Sequence, residues 1–216
     1  MKKYIAVAGN IGVGKSTLVS MLCARLEYHP FFEPVTENPY LADFYADMRG
    51  WGFHSQVFFL THRLRSHLDL ARFPGSIIQD RSIYEDAEIF AHNLYLQGNI
   101  AERDYDTYRA LYQTMVDFLT PPDLVIYLRA SVPCLLTRIE RRSRSYESGI
   151  SPDYLGQLNT LYEEWIASFR LCPVLTVPAD DLDFVSRPEH LDLIVTKVQE
   201  KIMGKDEVIF SRDEVT

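Results

Sequence analysis

The chain has 216 residues, of which 47% are apolar, and carries a net charge of −8 at neutral pH. That length suits one domain with a sizeable core. The acidic balance argues against a nucleic-acid polymer as partner, and no apolar run reaches membrane-span length. The N-terminus runs almost at once into an apolar segment, which leaves no room for a signal peptide. Cys23, Cys134 and Cys172 are odd in number and far apart, so reduced thiols in a cytoplasmic protein are expected.

Taken in order, apolar strand-like runs alternate with helix-length segments, which predicts a mostly parallel sheet covered on both faces. Strands are expected at 3–8, 31–35, 76–79, 123–128 and 173–177. Helices are expected near 15–27, 38–48, 52–72, 83–97, 104–119, 132–142, 152–169 and 188–202. Residues 1–204 read as the folded domain and 205–216 as a loose polar tail.

Between the first strand and helix lies Gly9-Asn10-Ile11-Gly12-Val13-Gly14-Lys15-Ser16-Thr17, which fits the phosphate-loop pattern G-x-x-x-x-G-K-[ST]. Its glycines let backbone N–H groups turn toward phosphate oxygens at the positive end of the following helix. Lys15 should reach the outer phosphates and Ser16 should ligate Mg²⁺.

In an open α/β sheet, ligands bind beyond the carboxyl ends of the strands. Glu33 ends the second expected strand and Asp80-Arg81 the third. A carboxylate there can hold a metal through water or take a hydroxyl proton. Asp80 could instead cap the helix beginning near Ile83, but Ser82 is available for that cap. Gln56, Phe59 and Arg63 fall on one helical stripe, where an aromatic, an amide and a guanidinium could serve a planar heterocycle; spacing alone favours plain core for Phe59. His54, His62 and His67 form no metal-ligand pattern and are expected at the surface. Arg138 to Ser145 is the densest positive run in the chain, followed by a break at Gly149. It can be a solvated helix end or an arginine-rich lid over a transferring phosphoryl group.

Several ordered motifs together resemble the deoxyribonucleoside kinase family. They are the phosphate loop, Glu33-Pro34-Val35, Tyr45 with Trp51 and Gln56, Arg63, Asp80-Arg81-Ser82 with Asp86, and Arg138…Arg142-Ser143-Arg144…Glu147…Gly149-Ile150. The resemblance runs from about Lys3 to about Phe184, and the Asp80–Asp86 segment is similar to the bacterial deoxyadenosine kinase branch. It implies an α/β, three-layer P-loop kinase fold with a five-stranded parallel sheet, helices on both faces and an arginine-rich lid. It implies transfer of the γ-phosphate of ATP, with Mg²⁺, to the 5′-hydroxyl of a deoxynucleoside in nucleotide salvage, deoxyadenosine first.

On that resemblance Asp80 is the general base with Glu33 in support, and Arg81 steadies Asp80 and the phosphates. Asp80 also joins Ser16 at the metal. Tyr45 and Glu147 bind the sugar 3′-hydroxyl. Gln56, Arg63 and Asp86 surround the base, with Trp51 and Phe59 as walls. Residues 9–17 with Arg138, Arg142 and Arg144 hold the donor, and a homodimer is expected. Many animal members carry Glu where this chain has Asp80. Deoxyguanosine kinase is the nearest alternative. A thymidylate-type kinase needs a cationic site for its acceptor's phosphate, where this chain offers Glu33, Asp80 and Glu147.

Overall fold

Tyr4-Ile5-Ala6-Val7-Ala8-Gly9 is apolar at every position, so successive side chains on both sides of the strand need cover. In a computed structural model of the chain, all six are buried, as β1 (Tyr4–Gly9). The structure describes residues 2–32, 38–144, 147, 149–205 and 208–214. The other strands are β2 (His29–Phe31), β3 (Ile77–Asp80), β4 (Leu124–Arg129) and β5 (Val174–Pro178). All pair in parallel, in the order β2-β3-β1-β4-β5. This is the five-stranded α/β architecture that the alternation predicts.

The helices are α1 (Lys15–Leu26), α2 (Leu41–Ala46), α3 (Met48–Arg72), α4 (Ile83–Glu85), α5 (His92–Leu96), α6 (Glu102–Val116), α7 (Val132–Arg142), α8 (Pro152–Ser168) and α9 (Pro188–Ile202). Helices α1 and α9 pack on each other, while α3 and α8 pack on the segment between α4 and α5. Among the described residues no helix is long and apolar enough to cross a membrane.

Several expectations need correction. The second strand begins at His29 rather than at residue 31, because its ladder pairs His29, Pro30 and Phe31 with Ile77, Ile78 and Gln79. Residues 33–35 of the expected strand lie outside the described residues. Helix α3 begins four residues early: the Asp47 side chain accepts from the Gly50 N–H and caps it. The helix expected over 83–97 is interrupted by a π-helical stretch, Asp86–Ala91. The segment after Gly204 is not a loose tail throughout. Val208 and Phe210 pack against the core, and Lys197 Nζ lies 2.8 Å from Glu214 Oε1.

His67 is not at the surface. The inward stripe of α3 runs through Gln56, Leu60, Arg63, His67 and Leu70, all buried. His67 meets the ring edge of Tyr4 at 5.8 Å, and burial lowers its pKa from 6.5 to about 4. The unfolded chain therefore takes up this proton first as pH falls. Stability is unaffected above about pH 6.5 and declines from there toward pH 4. From about pH 7.5 to about pH 5.5 the expected loss from this group is about 1.4 kcal/mol. His67→Phe should flatten that part of the slope. Urea midpoints of both proteins at the two pH values measure it, and an unchanged slope in the variant refutes the assignment. The three cysteines are free, and burial raises the Cys23 thiol to about 11.

Candidate active site

Register brings the site together. β3 lies beside β1 with Asp80 opposite Val7, so the carboxyl end of β3 sits two residues from the start of the phosphate loop. At Gly12, φ is +83° and an added Cβ would fall 2.6 Å from Ile139 Cγ1. Gly14, at φ +105°, then lets α1 begin directly at Lys15. The loop closes over α7 in a way that only glycine allows.

A cavity of about 760 Å³ opens beyond these strand ends. Its wall includes Ile11, Gly12, Val13, Gly14, Lys15, Ser16 and Thr17 from the loop. Tyr45, Gln56, Phe59, Asp80, Arg81, Asp86, Arg138, Arg142, Arg144 and Glu147 also lie on it. Residues spread over more than a hundred positions thus meet in one pocket of ligand size.

Asp80 is buried. Its Oδ2 accepts from Ser16 Oγ at 2.5 Å, and its Oδ1 has no hydrogen-bond partner among the described residues. Arg81 follows with φ +64°, a left-handed conformation that costs a non-glycine residue about 1 kcal/mol or more. That twist turns its guanidinium over the Phe90 ring at 4.3 Å, with Nη1 3.0 Å from Tyr162 Oη. Ser82 starts α4, its N–H donating to Glu85 Oε2 at 2.9 Å. The cap is thus formed without Asp80. Lys15 Nζ donates to the carbonyls of Gly9 at 2.8 Å and Asn10 at 3.0 Å.

Some expected contacts lie elsewhere. Gly9 and Asn10 are off the cavity wall. The Asn10 amide turns away to Leu155 O at 3.0 Å and Asn159 Oδ1 at 2.8 Å, which fastens the loop to α8. Arg63 is also off the wall. It is buried behind Asp86, with Nε 3.1 Å from Asp86 Oδ2 and Nη1 3.2 Å from the Asp80 carbonyl. Trp51 is off the wall too, stacked on Tyr40 with ring centroids 5.7 Å apart. Arg138 spans Val13 O and Ala179 O, each at 2.7 Å, so it braces the loop against the end of β5. Glu147 is buried and held by Arg142 at 2.5 Å, with Arg144 at 3.6 Å. Glu33 lies outside the described residues.

Sequence reasoning missed part of the wall. Arg141 lies on it beside the chosen arginines. So do Asp180, Leu182, Asp183, Phe184, Val185 and Ser186, just past β5. Asp183 accepts the N–H groups of Ser186 and Val185, which lowers its carboxyl below the usual range. The strand-end rule that found Asp80 also applies to β5 and would have found this segment. Phe32, Leu41, Phe44, Phe90 and Tyr154 complete the apolar side.

Known proteins agree with this geometry. Residues 5–203 match the deoxynucleoside kinase family. A deoxyadenosine/deoxycytidine kinase of Bacillus subtilis is 40% identical over 198 residues, 90% of each chain. A deoxyguanosine kinase of the same organism is 33% identical, over 93% of this chain and 98% of that one. The solved deoxyadenosine kinase of M. mycoides with bound dATP is 34% identical, with a TM-score of 0.81 over 91% of this chain and 99% of that one. With the phosphate loop and its facing carboxylate set in the same fold, the chain belongs to the deoxynucleoside kinase family.

Proposed function

We propose that this deoxynucleoside kinase transfers the γ-phosphate of ATP to the 5′-hydroxyl of deoxyadenosine, with deoxycytidine as a secondary substrate. The observation that carries this reading is the closed, buried Arg63–Asp86 pair behind the acceptor end of the cavity. With Arg63 held there, Asp86 and the Gln56 amide are the polar groups offered to a base edge. The amine of adenine or cytosine donates to a carboxylate; guanine presents a carbonyl in its place. The Gln56 amide can flip to meet that carbonyl, so Gln56 alone does not reject guanine. Against Asp86, with Arg63 held away, the carbonyl finds no donor. A polar group left unpaired there costs roughly 1–3 kcal/mol, or roughly 5- to 150-fold in kcat/KM. The deoxyadenosine/deoxycytidine kinase relative and the deoxyadenosine kinase of M. mycoides support the same choice.

The transfer needs in-line placement and charge neutralisation more than covalent chemistry. Asp80 Oδ1, buried and without a partner among the described residues, is the oxygen that orients the 5′-hydroxyl and receives its proton. Lys15 leaves the Gly9 and Asn10 carbonyls for the donor phosphates. Arg81, Arg142 and Arg144 meet the charge spread over the moving phosphoryl group, while Arg138 braces the loop beside it. The side-chain oxygens of Ser16 and Asp80 stand together, a hard-oxygen pair of the kind that holds Mg²⁺ along with substrate phosphates. When bound, Mg²⁺ would neutralise phosphate charge there. Tyr45 and Glu147 lie on the same wall as the groups for the sugar. The three free cysteines support a cytoplasmic setting.

A panel of deoxyadenosine, deoxyguanosine, deoxycytidine and thymidine at fixed ATP–Mg²⁺, read as kcat/KM, tests the substrate. Deoxyadenosine is expected first and deoxycytidine second. Deoxyguanosine above deoxyadenosine would mean that Arg63 turns toward the base, and would overturn the choice.

A further inference from the structure

A fully buried polar knot lies behind the phosphate loop. Tyr162, on α8, is 0% exposed, and so is Glu85. Tyr162 Oη is 2.9 Å from the Gly9 carbonyl and 2.8 Å from Glu85 Oε1, and it accepts from Arg81 Nη1 at 3.0 Å. Glu85 Oε1 also accepts the Gly9 N–H at 3.2 Å and stands 3.7 Å from Arg81 Nη1. The Gly9 carbonyl accepts Lys15 Nζ as well.

A phenol has one proton to give, and here it faces two acceptors. Burial holds the Tyr162 phenol well above its ordinary range, so it stays a donor. We infer that Tyr162 is a positioning residue whose hydroxyl couples the seating of Lys15 on the donor phosphates to the placement of Arg81. The inference rests on the roles given above to Lys15 and Arg81. When Lys15 swings from Gly9 to phosphate, the Gly9 carbonyl loses that donor and accepts the Tyr162 hydroxyl's hydrogen bond instead. Glu85 Oε1 then loses its hydroxyl donor and draws Arg81 Nη1 in from 3.7 Å. The guanidinium is thus set only once the donor is in place. The strained backbone at Arg81 keeps its side chain within reach of both partners.

The test measures kcat, KM for deoxyadenosine and KM for ATP in wild type, Tyr162→Phe, Arg81→Ala and the double variant. Rates are expressed per folded protein by circular dichroism. Phenylalanine keeps the ring against Tyr127 and Trp165. Its kcat should fall roughly tenfold, as expected for one buried hydrogen bond, with both KM values within about threefold. The double variant should be no slower than Arg81→Ala, because both changes act through one guanidinium. Glu85→Gln, which keeps the shape but removes the charge, should show the same split should the first variant fold poorly. Turnover within about twofold of wild type in Tyr162→Phe and Glu85→Gln overturns the inference, and so do losses that multiply in the double variant. Wild-type turnover in Arg81→Ala would instead sink the role of Arg81 itself.

Discussion

Lys15→Ala is expected to lose nearly all kinase activity, at least about 10²-fold in kcat, while keeping its fold. Lys15 is buried at the first turn of α1, yet its ammonium is satisfied by the Gly9 and Asn10 carbonyls, so it is already poised where phosphate must sit. Its attraction grows as negative charge builds on the outer phosphates. Removing it therefore costs more in the transition state than in the ground state. Circular dichroism should show an intact fold, because alanine suits a helix and the Gly9 carbonyl keeps the Tyr162 hydroxyl as a donor. Near wild-type turnover in the variant would refute the phosphate-loop assignment.

Asp80→Asn is expected to reduce kcat by about 10²–10⁴-fold while deoxynucleoside still binds. The amide keeps the shape and can still meet Ser16, but it cannot receive a proton on the atom now presented by Oδ1. Single-turnover rates together with deoxyadenosine binding by calorimetry separate the two effects. Should Glu33→Gln be crippled and Asp80→Asn be active, the base has been assigned to the wrong carboxylate.

Much of the fold is legible because its determinants are local. A strand buried on both faces reads as an apolar run, and the phosphate loop is a contiguous motif. What escapes the sequence is decided across long separations. Asn10 is drawn off the cavity wall by Asn159 and Leu155, about 150 residues away. Arg63 shares a stripe with Gln56 and Phe59, but at i+7 it lies two turns along the helix and faces Asp86 rather than the cavity. The same stripe continues to His67, and the helical spacing from Arg63 carries that histidine inward with it. Phe31-Phe32 and Pro34-Val35 look strand-like in the sequence, while the ladder with β3 already begins at His29, two residues earlier. The π-helical stretch has no signature in composition; it brings both Asp86 and Phe90 to the cavity wall.

The Glu147 ion pairs bear on how indifferent the resting site is to stray anions. Two guanidinium groups, Arg142 and Arg144, share one carboxylate, so the cluster presents one net positive charge rather than two. On the proposed function, inorganic phosphate would meet a muted field there, with fewer contacts than a triphosphate to set against a bidentate carboxylate. A triphosphate anchored along the loop can compete for Arg142 at close range, where its high local concentration favours the exchange. On the proposed function, the arrangement would favour a ligand already tethered along the loop over free phosphate.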